Sequence, residues 1–265
     1  MATLVSFHAH PDDEAIPTAG TLAKAAKDGH RVVLVFATKG EHGEVPDGFL
    51  EAGESLRDRR VEETHRSAEI LGARRVEFLG YVDSGMMGTP ENDAPESFWQ
   101  ADIDEAATRL ADILRDEHAD VLTIYDDHGV YGHPDHIQVH RVGVRAAELA
   151  RTGRVYESTA NRDAIVGGLL EAQEMGVEMP GDLDPTAFDD FGVSEDQITT
   201  VVEVTDFLDV KRAAMRAHAS QISDTSFFLT IPDEFFARAF GQEWYIRRDR
   251  PPSDEMETSL FDGIG

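Results

Sequence analysis

The sequence predicts an α/β protein of the Rossmann-like, three-layer α/β/α type, with a mostly parallel central sheet. Two observations support this prediction. Over the first 150 residues, short β-branched segments alternate with segments in which apolar residues recur at helical spacing, and this alternation is typical of parallel strands joined by helices. The chain also has 265 residues, of which 41% are apolar, so it can bury a sizeable core.

The predicted elements of this first part form four strand–helix pairs. The strands are predicted at 3–8, 31–37, 75–80 and 120–125. The helices are predicted at 12–28, 54–71, 101–117 and 134–151. Because crossovers between parallel strands are right-handed, the strands share one direction, and a ligand would bind beyond their carboxyl ends.

The remainder of the chain has a less regular pattern. Short strands are predicted at 155–158, 198–205 and 243–247, and helices at 161–176 and 206–220. Segments rich in glycine, proline and acidic residues predict loops at 40–53, 83–97 and 179–196. We expect a single domain over residues 1–265, with a Rossmann-like core at 1–150, a C-terminal part at 151–250 that completes the pocket, and a flexible tail at 251–265.

The chain carries a strong excess of negative charge. Asp and Glu number 52 and Lys and Arg number 24, which gives a formal net charge of −28. Nucleic acids and anionic membranes attract basic surfaces, so we expect neither as a partner. The sequence has no apolar run long enough to span a membrane and no basic start typical of a signal peptide, so a cytoplasmic location is expected.

Cysteine is absent from the sequence. This absence excludes disulfides, a thiol nucleophile and any zinc or iron–sulfur site with cysteine ligands. A bound transition metal must therefore be held by histidine, aspartate or glutamate, and the chain has 11 histidines to supply such ligands.

The first candidate site follows the first predicted strand, in the segment His10-Pro11-Asp12-Asp13-Glu14. Pro11 suits the first position of a helix, which would place His10 at the cap and the three acids in the first turn. Acids in a first turn can simply complement the helix dipole, so a metal site and a capping role both stay open. The turn lacks a glycine-rich phosphate-binding pattern and repels phosphate, which argues against nucleotide binding.

The second candidate site follows the strand at 120–125, in the segment Tyr131-Gly132-His133-Pro134-Asp135-His136. Here too a histidine precedes a proline that can open a helix. Both segments lie at the carboxyl ends of strands of one predicted sheet, so we expect them to reinforce each other. Two histidines, one aspartate and a water match the ligand pattern of catalytic zinc, and a neighbouring carboxylate can take a proton from that water.

The two segments together resemble the zinc-dependent N-deacetylase superfamily known as the LmbE-like or PIG-L family. The similarity rests on HAHPDDE at 8–14 and YGHPDH at 131–136, with further matches at 56–72, 80–86 and 211–221. The family includes deacetylases of N-acetylglucosaminyl-inositols and mycothiol conjugate amidases. The resemblance implies a hydrolase that removes an acyl group, typically acetyl, from the nitrogen of an N-acetylated amino-sugar or related conjugate.

The resemblance also implies a set of metal ligands. By this similarity His10, Asp13 and His136 bind Zn²⁺, and Asp12 is the general base that activates the zinc-bound water. Adjacent residues of a helix point about 100° apart, which would let one carboxylate bind the metal while the other faces the water. Fe²⁺ and Co²⁺ are compatible alternatives, because geometry and availability decide which metal such ligands hold.

Five further residues receive roles from the resemblance. His133 stabilises the oxyanion or protonates the leaving amine, and Asp135 orients His133 through its ring N–H. Tyr131 polarises the scissile carbonyl. Arg60 binds a substrate hydroxyl and Asp83 contacts the sugar, although a solvated helix charge is an equally good interpretation of Arg60.

The substrate stays open at this stage. The segment 15–18, Ala-Ile-Pro-Thr, replaces a stretch that is polar or basic in the mycothiol branch of the family. The alternatives to sugar deacetylation are an amidase of a larger thiol or antibiotic-type conjugate, and a family member that binds sugar or metal without turnover. His218 lies in a family-like segment but has no assigned role, and a homo-oligomer is left open.

Overall fold

A seven-stranded sheet forms the centre of the computed structural model, which describes residues 1–174, 185–253 and 255–264. The strands are β1 Thr3–His8, β2 Arg31–Phe36, β3 Arg75–Phe78, β4 Val121–Tyr125, β5 Arg154–Thr159, β6 Thr200–Glu203 and β7 Gln242–Arg247. Their order is β3-β2-β1-β4-β5-β7-β6. Strands β1 to β5 pair in parallel, whereas β7 runs antiparallel to both β5 and β6. The predicted α/β class with a mostly parallel sheet is confirmed.

Helices follow most of the strands. They are α1 Ala19–Lys27, α2 Leu56–Leu71, α3 Ile103–Asp116, α4 Gly129–Gly132, α5 Pro134–Ala150, α6 Arg162–Glu174, α7 Leu208–Ala217, α8 Phe227–Thr230 and α9 Asp233–Phe240. Two hydrophobic cores result, one with α1, α2 and α7 and the other with α3 and α5. Neighbouring residues of β1 enter different cores, Leu4 the first and Val5 the second, because side chains alternate across a strand.

The strand order reverses at β1, which pairs with β2 on one side and with β4 on the other. The chain leaves β1 toward one face of the sheet and β4 toward the other, so a crevice opens at the carboxyl ends of these two strands. Ligands of open α/β sheets bind at such a switch point. Both candidate segments of the sequence begin there.

The first helix is shorter than predicted. The sequence predicts a helix over 12–28, but α1 begins at Ala19, and a single 3-10 turn at Asp13–Ala15 precedes it. Asp12 has φ of 101°, which no right-handed helix accepts. Pro17 lacks the N–H that a helix interior needs, so the helix forms only beyond it.

Three predicted segments reach residues that lie outside the described ranges, one of them the tail at 251–265, which includes positions 254 and 265. The predicted loop at 179–196 is described only from 185 onward, where it contains short 3-10 turns at Pro185–Phe188 and Glu195–Gln197. The last two residues of the predicted helix at 161–176 also lie outside the described residues.

Within the segment 251–265, which the sequence predicts to be a flexible tail, Glu257 and Leu260 are buried, and Glu257 bridges to Thr200 of β6. Leu260 is 1% exposed and belongs to the core that contains α1. The Glu257 carboxylate accepts hydrogen bonds from Arg247 and Thr200, and Phe261 stacks on His30 with 3.8 Å between ring centroids. Apolar burial and a buried carboxylate with donors thus hold this segment in place.

None of the helices in the described part of the chain is both long enough and apolar enough to cross a membrane.

Candidate metal and catalytic site

The two histidine-containing segments meet at the carboxyl edge of the sheet. His10 follows β1, and His133 and His136 follow β4. The ring centroid of His10 lies 4.7 Å from that of His133 and 5.5 Å from that of His136. All three side chains are buried. The expectation that the two segments lie side by side is therefore confirmed.

The first segment is a strained turn. Asp12 has φ of 101° and ψ of −27°, a conformation that costs a residue with a side chain about 1–3 kcal/mol. The N–H of Asp12 donates to Glu14 Oε2 at 3.1 Å, and Arg60 donates to the carbonyl of Pro11. Pro11 therefore does not open a helix, contrary to prediction.

The same turn separates two adjacent carboxylates. Asp12 Oδ1 accepts a hydrogen bond from Arg60 Nη2 at 3.2 Å. Asp13 instead accepts the N–H of His10 at 2.8 Å, and its carboxylate faces the rings of His10 and His136. The two acids thus have different environments, as the sequence predicts, but the turn produces the separation rather than a regular helix.

The second segment forms the regular start of a helix. Pro134 is the first residue of α5 and His133 is its N-cap, as predicted. The Nδ1 atom of His133 accepts a hydrogen bond from the N–H of Asp135 at 3.1 Å. Just before this cap, Val130 has φ of 67°, which is rare for a β-branched residue. This sharp turn places the Tyr131 hydroxyl 3.3 Å from His136 Nε2.

A His/Asp/His cluster that could hold a metal ion results. Asp13 Oδ1 lies 3.4 Å from His136 Nε2, and Asp13 Oδ2 lies 3.6 Å from His10 Nδ1. Ligand atoms about 2.0–2.1 Å from a tetrahedral zinc ion are separated by about 3.3 Å, so each of these two pairs, which use different oxygens of Asp13, has a spacing near that of two zinc ligands. His133 also offers a nitrogen, because the three histidines place donor atoms within 4.8 Å of one another.

Buried acids surround His10. Its Nε2 lies 3.0 Å from Asp135 Oδ2 and 3.6 Å from Asp83 Oδ1. Burial alone would lower the pKa of His10, but the Asp83 and Asp135 carboxylates outweigh burial and hold this pKa well above its usual value. The site is thus built to stabilise positive charge at this histidine or on an ion bound to it.

Asp12 and His133 also have shifted pKa values. Burial raises the pKa of the Asp12 carboxyl to about 6, against the opposing effect of the Arg60 charge. Burial lowers the pKa of His133 to about 4, and the neighbouring His10 acts in the same direction. Both shifts favour the neutral form, which is the expected result of removing a charge from water.

Asp135 contacts a different histidine from the one predicted. The sequence predicts that its carboxylate orients His133, but the carboxylate contacts His10 Nε2 and accepts hydrogen bonds from the backbone N–H and the hydroxyl of Ser84. It is the backbone N–H of Asp135 that reaches His133. The reason is its place in the first turn of α5, where N–H groups point back to the cap.

Arg60 lies in the wall of the site, with both of its Nη atoms hydrogen-bonded to protein groups and its buried Nε without a partner. It is 3% exposed, and Nη1 donates to the carbonyl of Gly40 at 2.9 Å while Nη2 contacts Pro11 and Asp12. A Cβ atom at Gly40, where φ is +64°, would lie 2.2 Å from Arg60 Nη1. The Nη groups of Arg60 thus hold Asp12 and its turn, and the predicted contact with a substrate hydroxyl stays a prediction.

Asp83, the other predicted sugar contact, does lie at the candidate metal cluster. Its carboxylate accepts the N–H groups of Gly85 at 2.8 Å and His42 at 3.2 Å and faces His10. Burial would raise the pKa of Asp83, but His10 and these N–H donors outweigh it and hold the pKa far below its usual range. Asp83 is thus an ionised carboxylate that lines the site.

Sequence reasoning missed several residues that support this site. Glu14, one of the three acids for which the sequence leaves a capping role open, is fully buried, accepts a hydrogen bond from Ser67, and lies 2.5 Å from His218. Burial lowers the pKa of His218, but the Glu14 carboxylate outweighs this effect and raises it. Ser84 and Tyr125 were also missed, although Tyr125 stacks on His136 with 4.4 Å between centroids. The only sequence signal for Ser84 and His218 was their position in family-like segments.

The fold and the site together define an α/β protein with a candidate metal centre of histidine and aspartate at the switch point of its sheet. A family model described as PIG-L, GlcNAc-PI de-N-acetylase, matches residues 5–147. This match covers more than half of the chain and includes both candidate segments. The chain belongs to the PIG-L family.

Relatives match the chain over its whole length. A protein from Acidothermus cellulolyticus named 1D-myo-inositol 2-acetamido-2-deoxy-alpha-D-glucopyranoside deacetylase is 42% identical over 283 residues, which cover 100% of this chain and 96% of the relative. A protein of the same name from Thermomonospora curvata is 39% identical over 290 residues, which cover 98% of this chain and 96% of the relative.

Solved structures share the fold at low sequence identity. The N,N'-diacetylchitobiose deacetylase from Pyrococcus horikoshii has a TM-score of 0.59 at 22% identity, over 99% of this chain and 86% of that one. The zinc-inhibited form of the teicoplanin deacetylase Orf2 has a TM-score of 0.61 at 16% identity, over 94% of this chain and 99% of that one. A 4-carboxy-2-hydroxymuconate hydratase, GalB from Pseudomonas putida, has a TM-score of 0.57 at 19% identity, over 97% of this chain and 100% of that one. One fold therefore carries different reactions, and function has to be argued from the site.

Proposed function

We propose that this protein is a metal-dependent hydrolase that removes the acetyl group from the nitrogen of an N-acetylated amino-sugar. One observation carries the proposal: a His/Asp/His cluster lies beside a separate, partly buried carboxylate, Asp12, in a chain that full-length relatives named as deacetylases match at 42% and 39% identity. The first substrate class to test is the 2-acetamido sugar linked to inositol that gives those relatives their name.

His10, Asp13 and His136 would hold the ion. When bound there, Zn²⁺ would supply Lewis-acid activation of water and of the amide carbonyl. Two neutral imidazoles and one carboxylate suit Zn²⁺, and Fe²⁺ and Co²⁺ are accepted by the same donors. Asp135 supports this set of metal ligands, because its Oδ2 atom lies 3.0 Å from His10 Nε2 and fixes the orientation of the His10 ring.

Asp12 is the proposed general base. Arg60 contacts its Oδ1 atom, which leaves Oδ2 to accept the proton of the attacking water. The left-handed backbone of Asp12 directs this carboxylate away from Asp13, so one acid can serve as ligand while the other takes the proton.

His133 is the proposed stabiliser of the developing oxyanion. Its Nδ1 accepts the N–H of Asp135, so the neutral ring carries its proton on Nε2 and can donate a hydrogen bond from there. This arrangement favours hydrogen-bond donation over proton transfer to the leaving amine. Tyr131 is 45% exposed, with its hydroxyl beside His136, and would donate to the substrate carbonyl from the mouth of the site.

A second candidate substrate is a larger conjugate with an apolar portion. Met86 and Met87 follow Asp83 in the chain and are 52% and 53% exposed. Exposed methionine side chains offer an adaptable apolar surface beside a polar site. An amidase of thiol or antibiotic-type conjugates would use the same residues for the reaction and this surface for specificity.

The decisive experiment measures acetate release. Purified protein, freed of metal by chelation and reloaded with Zn²⁺, Fe²⁺ or Co²⁺, is assayed on N-acetylglucosaminyl-inositol, N-acetylglucosamine, diacetylchitobiose and N-acetylated thiol conjugates. We expect metal-dependent release from the first substrate above the others. Preferential turnover of the conjugates would favour the amidase, and metal binding without release from any member of the panel would favour a non-catalytic family member.

We further propose that residues 1–265 form a single domain and that residues 151–250 complete the pocket. Strand β7 pairs with β5 of the parallel part, and Glu243 of β7 accepts the N–H groups of Gly20 and Thr21 at the start of α1. Calorimetry should give a single cooperative unfolding transition. Two separated transitions would contradict the single domain.

A further inference from the structure

His218 lies immediately after α7, far in sequence from the candidate metal cluster, and has no part in the proposed chemistry. It is fully buried. Its Nε2 atom lies 2.5 Å from Glu14 Oε1, and the hydroxyl of Ser67 in α2 donates to the same oxygen. A histidine of the C-terminal part is thereby joined to the turn that follows β1.

The other oxygen of Glu14 contacts the backbone of Asp12. The N–H of Asp12 donates to Glu14 Oε2 at 3.1 Å. On the opposite side of the same peptide group, the carbonyl of Pro11 accepts a hydrogen bond from Arg60. Glu14 and Arg60 therefore hold the two ends of one peptide plane, so that this plane cannot rotate without breaking a buried hydrogen bond.

This peptide group is where the turn is strained. Asp12 has φ of 101°, and such a conformation persists only where the surrounding structure fixes it from several sides. A rotation of the Pro11–Asp12 peptide would relax φ and redirect the Asp12 side chain. The direction of the Asp12 carboxylate thus depends on Glu14, and the place of Glu14 depends on its two buried partners, His218 and Ser67.

The segment at 218–221 is anchored to the same region by two further contacts. Ser220 donates to the Glu63 carboxylate through its N–H at 2.9 Å and through its hydroxyl at 2.6 Å. Gln221 donates to the carbonyl of Glu44 at 3.1 Å. These contacts fix the position of His218 relative to α2, the helix that also carries Arg60 and Ser67.

We propose that His218 is a positioning residue for the general base: it holds Glu14, which in turn holds the Asp12 peptide in its left-handed conformation. The inference rests on the proposed deacetylase function, in which Asp12 takes the proton of the attacking water. His218 itself touches neither substrate nor metal. Loss of its contact to Glu14 should therefore lower turnover and leave both metal binding and substrate affinity nearly unchanged.

A purely structural role would give a different result, and α7 offers a matched control. Lys211 of the same helix forms a buried ion pair with Glu243 at 2.7 Å, with both side chains 1% exposed. This pair also links α7 to another element through a buried glutamate, but it points to β7 rather than to Asp12. Its loss should lower the melting temperature without lowering kcat of the folded protein.

The experiment compares His218→Leu, His218→Gln and Lys211→Met in the metal-loaded enzyme, with kcat, KM, metal per chain and melting temperature measured for each. We expect His218→Leu to lower kcat by about 10- to 100-fold, as removal of groups that orient an active residue does. KM should stay within about threefold and metal per chain at the wild-type value. Gln can still donate to Glu14, so His218→Gln should recover most of the loss, whereas Lys211→Met should keep kcat.

Several outcomes would overturn the inference. Wild-type kcat in folded His218→Leu would do so, as would a parallel loss of metal, which would assign the network to the metal cluster instead. Should His218→Leu fail to fold, Ser67→Ala removes the second partner of Glu14 and should lower kcat, again without a change in KM. Unchanged kcat in that variant would count against the network.

A crystal structure of His218→Leu separates this inference from the proposed function. We expect Asp12 to leave the left-handed region in that structure, whether or not a substrate has been found. A wild-type protein that releases no acetate overturns the proposed function. An Asp12 backbone that keeps φ near 101° without His218 overturns the positioning role.

Discussion

The tripeptide His-Pro-Asp occurs twice at the candidate site, with opposite structural outcomes. In the first copy, Pro11 opens no helix and Asp12 has φ of 101°. In the second copy, Pro134 is the first residue of α5, His133 caps that helix, and the Asp135 N–H donates to the cap. The two copies follow neighbouring parallel strands, so position in the fold does not explain the difference. The flanking sequence contributes, because Pro17 follows the first copy and no proline follows Pro134 within α5.

Two side chains, one nearby in sequence and one distant, also contribute to the difference. Arg60 and Glu14 hold the peptide before Asp12 from both sides, which offsets the cost of its strained backbone. The second copy keeps the ordinary helix start that proline favours. In the proposed mechanism the strained copy presents a carboxylate for reaction, whereas the regular copy buries the Asp135 carboxylate against His10. Under that proposal, identical tripeptides supply a reacting group in one place and a supporting group in the other.

The largest expected effect is that of Asp12→Asn. Asparagine has nearly the same shape and tolerates positive φ, so the turn should persist, but the amide cannot accept the proton of the attacking water. We expect kcat to fall by about 10²- to 10⁴-fold, or roughly 3–5 kcal/mol in the barrier. Asp127→Asn is the control, because that acid is 83% exposed and should keep wild-type kcat. Near-wild-type turnover in Asp12→Asn would move the base to another residue, with His133 the first to test.

The corresponding change in the second copy, Asp135→Asn, should have a smaller effect. The amide removes the charge that fixes His10 and weakens one of two hydrogen bonds to Ser84. Loss of a group that orients a metal ligand typically costs about 10- to 100-fold in metal affinity or activity. Titration with zinc, followed by kcat at saturating metal, separates the two effects. A fall in kcat at saturating metal as large as that of Asp12→Asn would mean that the two copies contribute equally to turnover.

The smallest changes in stability and kcat are expected from replacing the proline of each copy by alanine. Pro134→Ala frees the unfolded chain at a helix start and should lower stability by about 0.4–1 kcal/mol, with little change in kcat. Pro11→Ala should cost similar stability but also lower kcat, because it loosens the strained peptide that directs Asp12. Urea unfolding and kcat, measured on both variants, test this contrast. Equal kcat values for the two variants would show that the strain at Asp12 has no bearing on turnover.

Much of this structure follows from local sequence patterns. The strands β1 to β5 lie where apolar, β-branched segments predict them, and α5 begins at the predicted proline. Both candidate segments were found because their residue types suit zinc, and parallel strands bring their carboxyl ends to one edge. These features depend on neighbours in sequence or on the direction of strands, which a single sequence can indicate.

The rest depends on contacts between residues far apart in the chain. The pairing of His218 with Glu14 spans 204 positions, and the contact of Arg60 with Asp12 spans 48. The partner of the Asp135 carboxylate, Ser84, lies in a segment that is predicted as a loop and matches the family, but neither signal indicates this contact. Such pairings fix the backbone of Asp12 and the orientation of His10, and no periodicity or propensity encodes them.

The most direct test of the central claim measures metal per chain in two neighbouring variants, Asp12→Asn and Asp13→Asn. The claim is that the turn after β1 divides two adjacent acids between two tasks, with Asp13 a ligand and Asp12 a base. After loading with Zn²⁺ and removal of excess metal, elemental analysis should give wild-type zinc in Asp12→Asn and strongly reduced zinc in Asp13→Asn, because a neutral amide is a poorer ligand. Equal zinc in the two variants, whether retained or lost, would contradict the division of tasks on which the account depends.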